Sequence, residues 1–258
     1  MTNSQTVAEG TVKSEIKDGI GTITFFHPQS NSLPGKLLKQ LAAEITALGK
    51  NVNAKVIVIK SEGEKAFCAG ASFDELIQID NAEKGNEFFS GFAMVINAMR
   101  LAPKFVIARV QGKAVGGGVG IVCAADYTIA TEAALVKLSE LAIGIGPFVV
   151  GPAVERKIGT AAFSHLAINA TEWKDAQWAK EKGLYAEVVA DINTLNEAVN
   201  KMATTLSQNN PKAMMMLKEV FWQGTEDWNI LLEERAKMSG KLVLSDFTKE
   251  SIKRFKGK

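Results

Sequence analysis

The sequence predicts an α/β protein, and three observations carry that prediction. Apolar runs of strand length recur at Val56 to Ile59, Phe105 to Val110 and Asp126 to Thr131, each too short for a helix and bounded by small or turn-forming residues. Between such runs the apolar residues repeat at helical spacing, as in Leu37, Leu38, Leu41, Ile45 and Leu48. Two of the strands end in corners of small residues, Lys65 to Leu76 and Lys113 to Asp126, the kind of join that carries a strand into a helix. With 258 residues, 47% hydrophobic and 22% charged, the chain is long enough for one large core.

Taken in order, residues 1 to 10 read as a loose terminus. Val12 to Phe26 alternates in pieces and reads as a hairpin, with its turn expected at Ile20-Gly21-Thr22-Ile23. His27 to Pro34 is turn chemistry leading into the Leu37 to Leu48 helix, and His27 reads as a plain loop histidine. Lys55 to Lys60 is a strand that delivers the first corner. A polar, acidic stretch from Gln78 to Asn86 then separates it from a helix expected over Glu87 to Leu101. On that helix Phe88, Phe89, Phe92 and Met94 are core residues or pocket-lining ones. Pro103 ends it, and Phe105 to Val110 delivers the second corner. Asp126 to Thr131 and Leu135 to Leu138 are short strands before Ser139-Glu140, and Ile143 to Pro152 is a glycine-rich loop whose apolar residues, Phe148 among them, suit the wall of a binding site. From about residue 196 the chain turns helical, with helices expected at Val199 to Leu206, Pro211 to Phe221, Asp227 to Met238 and after Ser245. This suggests a core over 1–195 and a helical region over 196–258. Met214, Met215 and Met216 in a row leave methionine exposed on an isolated helix, which suits a subunit interface.

The two corners carry chemistry. Gly116, Gly117 and Gly118 have no Cβ, so another group can approach the main chain closely, and N–H groups at a helix start favour negative charge. Close packing or a tight turn uses such a run equally well. In the first corner Ser72 and Glu75 stand in a capping-box relation that starts a helix at Ser72 and leaves the N–H of Ala71 outside it. Two corners, each with a bare backbone donor, suit a two-donor hole for a developing oxyanion.

Other classes have little to build on. Thirty basic and 28 acidic residues are interspersed to a net charge of +2, unlike the footprint of a nucleic-acid binder. No apolar run reaches the length of a membrane span, and Met1 to Gly10 lacks the pattern of a secretory signal, so a cytoplasmic location is the default expectation. Cys68 and Cys123 sit inside the corners without a paired spacing and read as reduced packing residues. Two histidines, His27 and His165, offer no metal site and no Ser-His triad.

Ala-Phe-Cys-Ala-Gly-Ala at 66–71, Ala-Val-Gly-Gly-Gly at 114–118, Ala-Asp-Tyr-Thr-Ile-Ala at 125–130 and Leu-Ser-Glu-Leu-Ala-Ile-Gly-Ile at 138–145 together resemble the crotonase superfamily of enoyl-CoA hydratases and isomerases. The resemblance implies a spiral of ββα turns with a C-terminal helical region that forms trimers, often paired into hexamers. It implies an acyl-CoA thioester as substrate and no separate cofactor. The Ala71 and Gly117 amides become the oxyanion donors, Ala69 faces the adenine end of the ligand, Phe148 belongs to the acyl wall, and Glu140 is the general acid or base. Related hydratases carry a second glutamate three residues after the middle glycine; here that place is Gly120. A single glutamate suits double-bond isomerisation. The Leu-Ser-Glu and Gly-Pro-Phe-Val-Val-Gly-Pro run is also similar to bacterial methylglutaconyl-CoA hydratases. A non-catalytic acyl-CoA binder and another crotonase reaction, such as thioester hydrolysis, are the alternatives. An apolar setting of Leu138, Leu141 and Ile143 is expected to raise the Glu140 pKa. The tail carries Lys249, Lys253, Arg254, Lys256 and Lys258, which either lie in solvent or meet coenzyme A phosphates.

Overall fold

The computed structural model describes residues 9–256, and side chains for residues 9–254; the terminus expected to be loose and Lys258 lie, wholly or largely, outside that range. The chain opens with an antiparallel pair, β1 (Thr11–Lys17) and β2 (Ile20–Phe26). The turn is at Asp18-Gly19, both with positive φ (52° and 80°), and not at 20–23 as expected. Asp-Gly supplies the left-handed pair that a two-residue hairpin needs, while Ile20 to Ile23 already alternates buried and half-buried along β2. Helix α1 (Gly35–Lys50) buries Leu37, Leu38, Leu41, Ile45 and Leu48, as its periodicity predicts.

Three turns of one pattern follow. In the first, β3 (Val56–Ser61) and β4 (Ala66–Cys68) lead to α2 (Phe73–Ile77) and α3 (Ala82–Leu101). In the second, β5 (Val106–Val110) and β6 (Lys113–Val115) lead to α4 (Gly117–Ala124). In the third, β7 (Tyr127–Thr131) and β8 (Val136–Lys137) lead through a short 3-10 turn, Leu141–Ile143, to α5 (Gly151–Ile168), two helical stretches that meet at a kink at Gly159 (φ 75°, ψ 160°). The first strand of each turn joins a six-stranded sheet, ordered β1-β2-β3-β5-β7-β9, and the second joins a three-stranded sheet, β4-β6-β8. Every pairing except β1–β2 is parallel. This is the crotonase-like spiral of ββα turns. Parallel strands buried on both faces read as continuous apolar runs, which is why β3 and β5 stood out in the sequence.

The rest of the chain is α6 (Ala176–Glu181), β9 (Glu187–Val189), α7 (Ile192–Ser207), α8 (Pro211–Phe221), α9 (Trp228–Leu242) and α10 (Asp246–Lys256). Residue 195 falls inside α7, whose Leu195, Val199 and Ala203 pack on Val56, Val58, Ile107 and Ile129 of the large sheet. The α3 helix starts at Ala82, five residues before the expected Glu87, because Asn81 caps it by accepting from Lys84 N at 2.9 Å. In the methionine run Met214 is buried and Met216 is 53% exposed. In the tail Arg254 pairs with Glu250 at 3.2 Å.

Helix α8 is anchored by a buried ion pair. Lys218 Nζ lies 2.9 Å from Asp126 Oδ2 and donates to the carbonyls of Met99 and Lys104 at 2.7 and 2.8 Å. The same carboxylate accepts from Val106 N at 2.8 Å and Trp222 Nε1 at 2.9 Å. With both charges supplied with hydrogen-bond partners, burial is tolerated.

Candidate active site

The three strands of the small sheet run side by side in one direction, so the segments leaving their C-terminal ends emerge together. These are 69–71, 116–117 and 139–140, and all line one pocket of about 660 Å³ counting its open mouth. The sheet register therefore assembles residues that lie far apart in the chain. Ala69, Ala71, Gly117, Glu140 and Phe148 are all in that lining.

The first corner is held by the loop after β2. Ala69 N donates to Ser30 O at 3.2 Å and Leu33 N to Gly70 O at 2.8 Å. Asn31, itself at φ 56°, donates to the carbonyls of Glu62 and Ala66 at 2.7 and 2.9 Å. His27 is buried in this loop, its Nδ1 3.1 Å from Ser32 Oγ, and burial holds its pKa down. It is a structural loop residue and does not line the pocket. Ser72 caps α2, accepting from Glu75 N at 3.4 Å. The return half of the expected capping box is absent, because Glu75 Oε2 accepts from Gly35 N at 2.8 Å and ties α2 to the start of α1 instead. The Ala71 N–H has no acceptor within the chain among the described residues.

The glycine corner abuts the first one. A Cβ at Gly70 would stand 2.9 Å from Val115 O and 3.5 Å from the Gly117 nitrogen, and one at Gly118 would meet Cys68 O at 2.5 Å. Gly116 adopts φ 53°, ψ −117°, a conformation essentially confined to glycine, and a Cβ there would lie 3.0 Å from Glu140 Oε1. At Gly117 a Cβ would run into the Phe92 ring at 2.2 Å. Close packing and an open approach to the main chain are thus served by the same three residues. The Gly117 N–H, at the first position of α4, likewise has no acceptor within the chain among the described residues.

Glu140 enters from β8 at the head of the 3-10 turn. Its Oε2 is sealed from solvent with no hydrogen-bond partner, and burial pushes its pKa up to about 7. The apolar neighbours differ from expectation: Leu138 and Ile143 are buried, but Leu141 points outward at 49% exposure. The position of the missing second glutamate is filled. A Cβ on Gly120 would lie 2.4 Å from Val150 Cγ1 and 2.8 Å from Val150 Cβ. Val150 lines the pocket in its place.

Phe88, Phe89 and Phe92 line the pocket, whereas Met94 does not. Sequence reasoning missed Phe73 and Leu76, whose three-residue spacing puts them on one face of α2, and Ser239 of α9, which carries no local signal. Cys68 and Cys123 are buried free thiols with pKa pushed up to about 12 by burial, so they stay protonated packing groups. Among the described residues no three His, Cys, Asp or Glu side chains cluster as metal ligands, and no helix is long and apolar enough to cross a membrane.

Residues 15–258 match the family model described as enoyl-CoA hydratase/isomerase. The chain belongs to the enoyl-CoA hydratase/isomerase, or crotonase, family. Within this family it is 32% identical over 220 residues to YngF of Bacillus subtilis, covering 84% of this chain and 82% of that one. It is 33% identical over 201 residues to the mitochondrial methylglutaconyl-CoA hydratase of Rattus norvegicus, covering 76% of this chain and 63% of the rat protein. The crystal structure of an enoyl-CoA hydratase from Bacillus halodurans superposes with TM-score 0.87 at 22% identity, covering 94% of this chain and 99% of that one, and shares the crotonase fold.

Proposed function

We propose that this crotonase moves a proton on an acyl-CoA thioester, with Glu140 as the sole acid and base and the Ala71 and Gly117 amides holding the thioester oxygen as it gains charge. The observation that carries this reading is a single carboxylate whose Oε2 is buried with no hydrogen-bond partner and whose pKa burial pushes up to about 7, in the pocket that both corners line. A group titrating near neutrality is suited to both accept and return a proton. Ala69 lies on the adenine side, Phe148 in the acyl wall, and the reaction needs no further cofactor. Loss of one amide donor would cost about 3–4 kcal/mol of transition-state stabilisation.

Between reactions, the geometry favours a 1,3-shift of the double bond. Hydration by the two-glutamate route needs a second carboxylate on the water, and Val150 stands where it would project. Among the described residues the pocket lining carries no Lys, Arg or His, so an acyl group with a distal carboxylate would be buried there without a counter-charge, at a high cost. We therefore assign a neutral, apolar enoyl group. The second reading is hydration of a branched enoyl-CoA, favoured by the 33% identity with the rat methylglutaconyl-CoA hydratase. Product identification by mass spectrometry on 2-enoyl, 3-enoyl and 3-methylglutaconyl thioesters separates the two: positional isomers from neutral substrates are expected, and a 3-hydroxyacyl product from methylglutaconyl-CoA would establish the second reading. Tight acyl-CoA binding without turnover, or free coenzyme A as product, would replace both.

Assembly is part of the proposal. Met216, Leu217, Val220 and Phe221 leave an exposed apolar face on α8, which fits association of the region beyond residue 196 into a trimer or hexamer.

A further inference from the structure

The outer face of the large sheet carries a row of three cations with no ion-pair partner among the described residues. Lys13 pairs with Thr24, Thr24 with Lys60, and Lys60 with Arg109, across β1, β2, β3 and β5. Residues in register on adjacent strands share a face and stand about 5 Å apart, so Lys60 and Arg109 are immediate like-charged neighbours, an arrangement that costs stability. Among the described residues none of the three cations has a carboxylate within ion-pair distance; the ion pairs lie elsewhere.

Arg109 is the least exposed of them, at 9%. Its guanidinium meets only neutral acceptors, Asn196 Oδ1 at 2.8 Å and Gln111 Oε1 at 3.2 Å. Five N–H donors sharing two acceptors leave others to spend. Arg109 lines a cleft together with Lys13, Lys60, Thr24 and Asn196, while Glu15 and Glu62 are also in the lining and reduce its charge without cancelling it. Asn196 gives its oxygen to Arg109 and keeps its NH₂ free to donate. The cleft shares no residue with the acyl pocket.

We propose that this cleft is a binding site for a phosphate group, bridged between Lys60 and Arg109, with Lys13 closing from β1 and Thr24 and Asn196 as neutral donors. An anion there converts a repulsive row into an attractive one, and the planar guanidinium suits phosphate oxygens.

The test uses the full chain, with inorganic phosphate as probe, against sodium chloride at matched ionic strength, followed by thermal melting and calorimetry. The native protein should melt higher in phosphate than in chloride. Lys60→Gln removes the repulsion, so it should melt at or above the native protein in chloride. It should nevertheless lose most of the phosphate increment and bind phosphate about tenfold more weakly, the loss expected of one charged donor. Thioester turnover by Lys60→Gln should be unchanged. Arg109→Gln should abolish the increment where it folds, and Lys60→Gln carries the test where it does not. A parallel titration with AMP distinguishes sources: tighter binding than inorganic phosphate points to a nucleotide, equal binding to the free ion. Equal melting in phosphate and chloride, or a full increment in Lys60→Gln, would overturn the site.

Discussion

Glu140 has a folded-state pKa of about 7 against an ordinary 4.5, and that difference fixes two outcomes. If the free carboxylate starts the reaction, kcat/KM should rise with pH through about 7 and then level off, because no second titrating acid is required; a bell-shaped profile would point to a second group. The effect on stability has a definite sign. A carboxyl whose pKa is raised by folding contributes its full stability below pH 4.5 and loses it as pH rises through 7. Glu140→Gln should therefore melt close to the native protein at pH 4.5 and above it at pH 8, by on the order of 1–3 kcal/mol. Gly120 and Val150 form a second residue-scale test. Gly120→Ala places a methyl against Val150 and should cost about 1–3 kcal/mol in urea denaturation. Adding Val150→Ala should recover part of that loss, a coupling readable in a double-mutant cycle. At this scale the motifs picked out Ala71, Gly117 and Glu140, and all three line the pocket. They did not reveal why position 120 is glycine, because the reason is a valine thirty residues away in another turn of the spiral.

At the scale of elements, the Lys218–Asp126 pair ties α8 to the start of β5 and the end of α3. Lys218→Met leaves the Asp126 charge buried with its cation gone and should cost about 3–5 kcal/mol. The double variant Lys218→Met with Asp126→Asn should be less destabilised than Lys218→Met alone, as measured by chemical denaturation. Neither residue stood out as paired in the sequence, since 92 positions separate them. Elements with an unambiguous period were legible: α1, β3, β5 and the Pro211 start of α8 lie close to where the pattern put them. The hairpin turn was displaced because Gly21 looked like a turn residue. It is a strand residue whose missing side chain makes room for Leu48, 2.9 Å from where its Cβ would be. The helix α5 was not foreseen; its glycines, including Gly159 at φ 75°, interrupt the periodicity that would announce it.

For the whole molecule, the spiral itself has no sequence repeat, because each turn needs only a strand, a short second strand and a helix, and each fills that pattern with different residues. What repeats is geometry: the second strands gather into the sheet β4-β6-β8, and that gathering brings 69–71, 116–117 and 139–140 to one pocket. The motif spacings implied such convergence through family resemblance, while the enclosing parts, Phe73 and Leu76 on α2 and Ser239 on α9, depend on packing between distant helices. The exposed apolar face of α8 belongs to this scale too, and light scattering at several concentrations should find a trimer or a multiple of it; a monomer throughout would remove assembly from the account. On the proposed reading one buried carboxylate exchanges a proton with the carbon next to a thioester, and incubating the protein with a neutral enoyl-CoA in deuterium oxide, with label uptake followed by mass spectrometry, checks this. The native protein should introduce deuterium at the carbons flanking the double bond, and Glu140→Gln should do so at least about a hundredfold more slowly; equal uptake by the two proteins would mean that Glu140 does not carry the proton.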